Sequence, residues 1–125
     1  MPGLHQVAQH ADDLDRAVAF YSDVLGFELI SRFDPPGLAF FRLGDTRLLL
    51  DKAAPSALIY LRVEDVRAEA DRLSARGVTI DSEPHVIFTD TDGVFGAAGT
   101  EEWMAFFRDS EGNLIGLAST HAQAS

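Results

Sequence analysis

Histidine and carboxylate side chains are the groups in this sequence most able to bind a metal ion or to move a proton. Of the four histidines, His10 ends a predicted strand, while His85 and Glu102 flank a glycine-rich stretch. These three side chains, or the same set with Glu101 replacing Glu102, would complete a catalytic metal site with one position open for substrate. Glu102 would then be the catalytic base. Because scattered histidines serve more often on the surface or in capping contacts, we favour that interpretation over metal binding.

A second set of candidate residues is defined by alternation, because successive residues of a strand point to opposite faces. One predicted face is apolar and is expected to pack against helices. The other face mixes polar and apolar residues, so it is expected to line a solvated cleft. The candidate ligand-binding residues on this face are Gln6, His10, Arg47, Leu49, Asp51, Leu58, Tyr60, Arg62 and Gly116. Trp103 and Phe107 are added from the surrounding aromatic residues, since an apolar cleft with a few polar groups suits a small molecule.

The elements that position these residues follow from hydrophobic periodicity and capping. Asp12 or Asp13 can cap a helix from Leu14 to Leu25 that ends at Gly26, and a similar pattern predicts a helix from Val66 to Arg76. Short apolar runs between turn residues predict strands. The predicted strands are Leu4 to His10, Phe27 to Arg32, Leu38 to Leu43, Arg47 to Asp51, Ala57 to Val63, Val78 to Glu83, Trp103 to Arg108 and Leu114 to Ala118.

This order of elements is a duplication of one βαβββ unit. The run Ala39 to Arg42 recurs verbatim as Ala105 to Arg108, and a glycine turn and an apolar strand follow each copy. The fold class is therefore α+β, with two tandem βαβββ modules at 1–52 and 57–119 inside one domain that spans 1–125.

Three features lie outside this pattern. His85 to Thr100 is expected to be irregular, either as a mobile flap or as a plain connection. Ser119 to Ser125 is expected to be a frayed tail. Gln9 breaks the apolar face of its strand, which a sheet edge or a dimer contact would explain.

The amino-acid composition limits which partners the protein can bind and which cellular compartment suits it. Ten Lys and Arg against 20 Asp and Glu give a formal net charge of −10, which repels phosphate backbones and argues against nucleic acid. No stretch is apolar enough to span a membrane, and the N-terminus lacks the pattern of a signal peptide. The absence of cysteine fits a reducing compartment. We therefore expect a cytoplasmic protein with neither nucleic-acid nor membrane partners.

Two motifs carry a resemblance to a known family. The run LDRAVAFYSDVLGF, from Leu14 to Phe27, together with FRDSEGN, from Phe107 to Asn113, resembles the vicinal oxygen chelate superfamily. That group includes glyoxalase I, methylmalonyl-CoA epimerase, extradiol dioxygenases, fosfomycin resistance enzymes and bleomycin resistance proteins. The resemblance implies a cupped mixed sheet with helices on its convex face, commonly completed as a homodimer. It is less informative about chemistry, because this scaffold serves isomerisation, epimerisation, oxidation, addition and simple sequestration.

The resemblance also implies where a divalent metal would be held, by inward groups of the first and last strands of each module. These positions match Gln6, Leu49, Leu58 and Gly116. Of these, Gln6 alone could be a ligand, and one amide oxygen does not hold Zn, Ni or Fe against water. We therefore predict that the usual metal site is missing and that no cofactor is bound.

The favoured hypothesis is a small-molecule-binding protein of the glyoxalase/bleomycin-resistance type that sequesters an amphipathic or aromatic ligand. Tyr60 and the neighbouring aromatic rings would stack on this ligand, while Arg47, Asp51 and Arg62 would orient its polar groups.

Two alternatives remain open. One is a glyoxalase-like lyase, isomerase or epimerase in which a divalent metal such as Zn, Ni, Mn or Fe, held at His10, His85 and Glu102, polarises a carbonyl or enediolate. The other is a scaffold protein whose sheet faces form an interface with another protein. Gln9 is the single sequence feature that supports this alternative.

Overall fold

The computed structural model of this chain describes residues 3–123. The chain divides into two compact units, the first made of Met1–Ala57 with Asp109–Asn113 and the second of Leu58–Arg108 with Leu114–Ser125. Each unit contains one strand, one helical segment and then three strands. The predicted α+β fold with a duplicated βαβββ unit is therefore confirmed.

The first unit contains strands β1 to β4 and helix α1. In chain order these are β1 (Gln6–His10), α1 (Leu14–Ala19), β2 (Glu28–Phe33), β3 (Leu38–Leu43) and β4 (Thr46–Asp51). The sheet order is β1-β4-β3-β2. β1 runs parallel to β4, and β3 is antiparallel to both of its neighbours. The parallel pair requires a long crossover, which α1 and the β2–β3 hairpin provide.

The helical segment that starts with α1 has the N-terminal cap and the terminal glycine that the sequence indicates. The Asp13 carboxylate accepts a hydrogen bond from the Arg16 amide at 3.1 Å, which is the expected N-terminal cap. Gly26 follows the helical segment with a φ of +76°, a conformation that favours glycine.

The interior of the helical segment differs from the prediction. A continuous α-helix to Leu25 is wrong beyond Ala19, because Phe20–Val24 is a π-helix. The Leu25 amide donates to the carbonyl of Phe20, five residues earlier, at 3.1 Å. Tyr21 in this wider turn is fully buried and contacts three phenylalanine rings, so the packing of its ring accompanies the change in helix type.

The second unit repeats the arrangement with β5 (Ile59–Arg62), α2 (Val66–Ala75), β6 (Ile80–Asp90), β7 (Thr100–Arg108) and β8 (Leu114–Ala122). Its sheet order is β5-β8-β7-β6, and β5 is parallel to β8. The Asp65 carboxylate caps α2 by accepting from the Arg67 amide at 2.9 Å.

Three predicted boundaries in the second unit are wrong by three or more residues, and one of them is the start of β7, which lies at Thr100 instead of Trp103. β6 continues to Asp90, and β8 continues to Ala122, where an irregular loop and a frayed tail were expected. Both extensions pair with β7, in which Thr100 lies opposite Asp90 on one side and opposite Ala122 on the other. The small and polar residues at the end of β8 have little strand preference of their own, so the neighbouring strand determines their conformation. The last two residues of the predicted tail lie outside the described part of the chain.

Each sheet has one buried face and one more open face. The buried face includes Phe41, Leu48 and Leu50 in the first sheet and Ala105, Phe107, Ile115 and Leu117 in the second. Leu49 and Gly116, on the other face, are also buried, so burial does not alternate strictly along β4 and β8. Gln9 lies in an edge strand of its sheet, yet its side chain is fully buried, so it is not a surface contact. Within residues 3–123, neither helix has the length and apolarity that crossing a membrane requires.

The turn Asp109–Asn113 completes the first unit. Buried Asp109 accepts a hydrogen bond from the Tyr21 hydroxyl at 2.7 Å, and burial raises the pKa of that hydroxyl, which keeps it a donor. Glu111 forms an ion pair with Nε of Arg16 at 2.7 Å. The two motifs that carry the family resemblance are therefore bonded to each other.

Candidate functional site

The open face of the second sheet carries its side chains in three rows that cross the strands. Strand register places Tyr60, Gly116 and Phe106 in the first row, Arg62, Ala118 and Met104 in the second, and Thr120, Glu102 and Phe88 in the third. A cleft of about 640 Å³ lies over this face, within the size range of small-molecule sites. Its lining includes Tyr60, Arg62, Glu64, Glu102, Ala118 and Thr120.

Gly116 determines how the first row is packed. A Cβ atom at this position would lie 2.7 Å from Cδ2 of Tyr60 and 3.0 Å from Cε2 of Phe106, so both rings occupy the space that a side chain would take. The Tyr60 and Phe106 rings contact edge to face, with centroids 5.9 Å apart. Tyr60 is nevertheless 52% exposed. The result is an aromatic ring that is held by its neighbours and still open to solvent.

The cleft also carries charged groups that lack partners. Within residues 3–123, Arg62, Glu64 and Glu102 form no hydrogen bond or ion pair through their side chains. Arg67, on α2, instead pairs with Asp65 and lies over a tryptophan ring. The charges in the cleft are therefore available to a ligand.

A smaller cavity of about 40 Å³ adjoins this cleft, and Glu102 and Thr120 line both. The other residues of the smaller cavity are Phe88, Asp90, Phe95, Gly96 and Thr100. Phe95 belongs to the loop between β6 and β7, and its ring contacts Phe88 with centroids 5.6 Å apart.

Asp90 organises the loop that carries Phe95. Asp90 is 6% exposed, and its carboxylate accepts hydrogen bonds from the amides of Val94 at 2.7 Å and of Phe95 at 2.9 Å. These backbone donors, that of Phe95 first, lower the pKa of Asp90, so the carboxylate is ionised. The glycine-rich stretch is thus a hydrogen-bonded loop built on one acidic side chain, where the sequence predicted only an irregular segment.

The predicted ligand-binding residues fall on two sheets. On the first sheet, register brings together Gln6 with Arg47, Ala8 with Leu49, and His10 with Asp51. The Arg47 guanidinium lies 5.5 Å from the centre of the Phe40 ring and 2.9 Å from Nε2 of His5. On the second sheet, Tyr60, Arg62 and Gly116 lie together as predicted from alternation, and exposed Leu58 precedes β5.

Two of the proposed aromatic contacts are placed elsewhere. Phe107 is fully buried, and Trp103 lies on the same side of β7, where Arg67 of α2 is 4.7 Å from its ring centre. Alternation along β7 gives the open face to Glu102, Met104 and Phe106 instead. Phe106, which lies opposite Gly116 in the strand register, is therefore the aromatic residue of β7 on the open face, and the sequence alone does not provide that register.

The proposed metal ligands are divided between the units. His10 belongs to the first unit, where Nε2 contacts Asp12 at 2.7 Å and Nδ1 contacts the Ala54 carbonyl at 3.1 Å. The hydrogen bond to Asp12 raises the pKa of His10. His85 and Glu102 lie on neighbouring strands of the second unit. The part of the chain that the structure describes contains no group of three His, Cys, Asp or Glu side chains able to hold a metal ion.

Comparison with known proteins gives the family. The model of the Glyoxalase/Bleomycin resistance protein/Dioxygenase superfamily matches residues 3–117, which include most of both units. No curated protein matches the sequence.

Solved structures share the fold over nearly the whole chain. TnmS3, described as an antibiotic binding protein from Streptomyces sp. CB03234, is 25% identical, with 99% of this chain and 98% of that chain covered and a TM-score of 0.67. A lactoylglutathione lyase from Agrobacterium tumefaciens is 24% identical, with 95% and 94% covered and a TM-score of 0.70.

A further structure comes from Sphaerobacter thermophilus DSM 20745 and is described as a member of the same superfamily. It is 22% identical, with 95% of this chain and 98% of that chain covered and a TM-score of 0.72. The resemblance inferred from the two sequence motifs is confirmed. The chain belongs to the glyoxalase/bleomycin resistance protein/dioxygenase superfamily.

Proposed function

We propose that this chain is a small-molecule-binding protein that sequesters an amphipathic or aromatic ligand on the open face of its second sheet. The observation that carries the proposal is the Tyr60 ring, which is packed over Gly116 and against Phe106 but stays half exposed. The same cleft contains Arg62, which has no partner among residues 3–123.

An aromatic ligand matches the first row of this face. Because the Tyr60 ring is held by Phe106, little side-chain entropy is lost when a second ring stacks on it. Such contacts between aromatic rings contribute about 0.5–1.5 kcal/mol beyond the burial of area. An exposed ring that is already fixed is therefore an efficient binding surface.

The guanidinium of Arg62 supplies polar recognition. Arginine binds carboxylate, sulfonate and phosphate groups through paired N–H donors in a fixed plane. Arg62 lines the cleft of a chain with a net charge of −10 and has no acidic partner among residues 3–123, so its guanidinium can bind an anionic group. We assign it to an anionic group of the ligand.

The residues at the usual metal positions do not fit a metal ion. Leu49 and Leu58 have hydrocarbon side chains, and Gly116 has none, so Gln6 remains as one neutral oxygen donor. These residue types support a binding function that uses no metal.

Membership of the superfamily admits both binding and catalysis, since one similar structure is described as antibiotic binding and another as a lyase. TnmS3 covers nearly the whole chain, and we take it as support for sequestration of an antibiotic-like aromatic compound.

We further propose that the protein is a cytoplasmic homodimer. The absence of cysteine fits a reducing compartment, and dimers are common in the family that the motifs resemble. Light scattering should give twice the chain mass of 13.6 kDa, and a monomer mass at micromolar concentration would contradict the dimer.

Titration with dansylglycine, which joins an aromatic fluorophore to a carboxylate, tests the proposed ligand site. We expect binding to the unmodified protein with a rise in fluorescence. Arg62→Gln should weaken binding by about tenfold or more, because a charge-assisted hydrogen bond is lost. Tyr60→Leu should weaken it about three- to tenfold through loss of stacking.

Arg76→Gln is the matched control, since Arg76 is the C-terminal cap of α2, is exposed and does not line the cleft. It removes the same charge and should leave dansylglycine binding unchanged. The proposal fails if dansylglycine does not bind, or if the variants of Arg62 and Arg76 behave alike.

A further inference from the structure

We propose that the ligand also carries an ammonium group, and that this group binds in the small cavity between Phe88, Phe95 and the carboxylate of Glu102. This inference rests on the proposed function, because it adds a second recognition element to the same cleft.

The small cavity has the composition of a site for an organic cation. Phe88 lies opposite Glu102 in the strand register, and Phe95 contacts Phe88 edge to face at 5.6 Å between ring centres. Aromatic faces attract ammonium groups through their quadrupoles, and an adjacent carboxylate adds a full negative charge. A volume of about 40 Å³ admits an ammonium head but not an aromatic ring.

Glu102 is the residue that connects the two cavities. It lines both of them, and within residues 3–123 its carboxylate has no hydrogen-bond or ion-pair partner. A carboxylate that is only partly exposed and has lost some of its hydration favours a cationic partner over solvent.

The loop makes the aromatic wall available. Phe95 is 81% exposed, although the hydrogen bonds from its own amide and from that of Val94 to Asp90 hold the backbone in place. Because Asp90 is satisfied by these donors, it acts as a positioning residue for Phe95. A ligand that covers the Phe95 ring would remove from water a large apolar surface that the free protein leaves exposed.

The spacing of the charges gives the shape of the ligand. Arg62 lies beside Ala118, and Glu102 lies beside Thr120, on opposite sides of β8. Two strand spacings and a two-residue advance separate their Cα atoms by roughly 12 Å. The ligand class is therefore an aromatic compound with an ammonium group at one end, and with an anionic group at the other when it spans the cleft.

Three probes that share one fluorophore test the inference. Dansylamide is neutral, dansylglycine is anionic, and dansylcadaverine carries an ammonium group on a pentyl linker. We expect Glu102→Gln to weaken dansylcadaverine binding about tenfold while the other two probes change less than about twofold. Phe95→Leu, which keeps an apolar residue, should weaken dansylcadaverine about three- to tenfold.

Glu101→Gln is the control, because Glu101 precedes Glu102 on β7 and points to the opposite face. It removes the same charge and should leave all three affinities within about twofold. If dansylglycine binds and depends on Arg62, but Glu102→Gln leaves dansylcadaverine unchanged, the ammonium site is refuted and the proposed function stands. If no probe binds, both are refuted.

Discussion

The side-chain sizes of Tyr60 and Gly116, which lie side by side on β5 and β8, shape the site. In the first unit the corresponding register pair is Ala8 with Leu49, a small residue on the first strand and a large one on the last. In the second unit the sizes are reversed, because Tyr60 is large and Gly116 has no side chain. Leu49 is 8% exposed, whereas Tyr60 is 52% exposed. The same backbone arrangement therefore buries an aliphatic side chain in one unit and leaves an aromatic ring open to solvent in the other.

We expect Gly116→Ala to weaken dansylglycine binding about three- to tenfold, because the new Cβ displaces the Tyr60 ring from its position. Overpacking of this buried position should also lower the free energy of unfolding by about 1–3 kcal/mol. Fluorescence titration and urea unfolding measure the two effects. Gly3→Ala is the control, since no atom lies within 4 Å of its added Cβ. Unchanged dansylglycine binding by the Gly116 variant would show that the position of the Tyr60 ring does not affect binding.

At the scale of elements, the sequence identified those whose ends are marked by local chemistry. Asp13, one of the two predicted caps, caps the first helix, and Asp65 caps the second in the same way, because a capping carboxylate acts on amides two or three residues away. The end of β8 was missed because its conformation comes from pairing with the start of β7, where Thr100 lies opposite Ala122, and not from the strand preference of its own residues. Phe107 was assigned to the site instead of Phe106 because the repeated pair of phenylalanines is symmetric in type, and only the strand register separates the two faces.

The contact between α1 and the turn Asp109–Asn113 gives a pH-dependent prediction. The Glu111 side chain is fully buried, which by itself raises its pKa, but hydrogen bonds from Arg16 and from the Asp13 amide outweigh burial and lower the pKa to about 2. Because the folded pKa lies below the ordinary value of 4.5, Glu111 stabilises the fold above pH 4.5. This contribution is lost as the pH falls from 4.5 to about 2.

We therefore expect Glu111→Gln to lower the free energy of unfolding by about 2 kcal/mol at pH 7, with a difference from the unmodified protein that shrinks below pH 4.5. Urea unfolding at pH 7, 4 and 3 measures this. Glu83→Gln, at an exposed carboxylate without a side-chain partner among residues 3–123, should have little effect at any of these pH values. An equal loss at all three pH values would show that the charge of Glu111 is not what stabilises the turn.

At the scale of the whole molecule, charge and residue type both bear on whether a metal is bound. The net charge of −10 attracts cations to the protein surface in general, but this attraction does not hold a metal ion at one site. Retention requires several ligands at fixed distances, and both ring nitrogens of His10 already face hydrogen-bond acceptors, Asp12 and the Ala54 carbonyl.

We expect the untagged protein to retain far less than one equivalent of Ni, Zn, Mn or Fe(II) after incubation and dialysis, as measured by elemental mass spectrometry. Retention of close to one equivalent that falls in a His10→Phe, His85→Phe or Glu102→Gln variant would reverse this expectation. It would favour the lyase, isomerase or epimerase hypothesis, to be tested next by assays of those activities.

The turn that closes the first unit lies near the end of the chain. Tyr21 and the carboxylate that binds its hydroxyl are separated by 88 positions. During synthesis, a ribosome makes all of β1 to β7 before it adds Asp109, so until then the nascent chain has no Asp109 carboxylate to accept a hydrogen bond from the Tyr21 hydroxyl. Assembly of the first unit therefore waits for a turn that is translated after β5 to β7, and a chain released before that turn leaves its first unit incomplete.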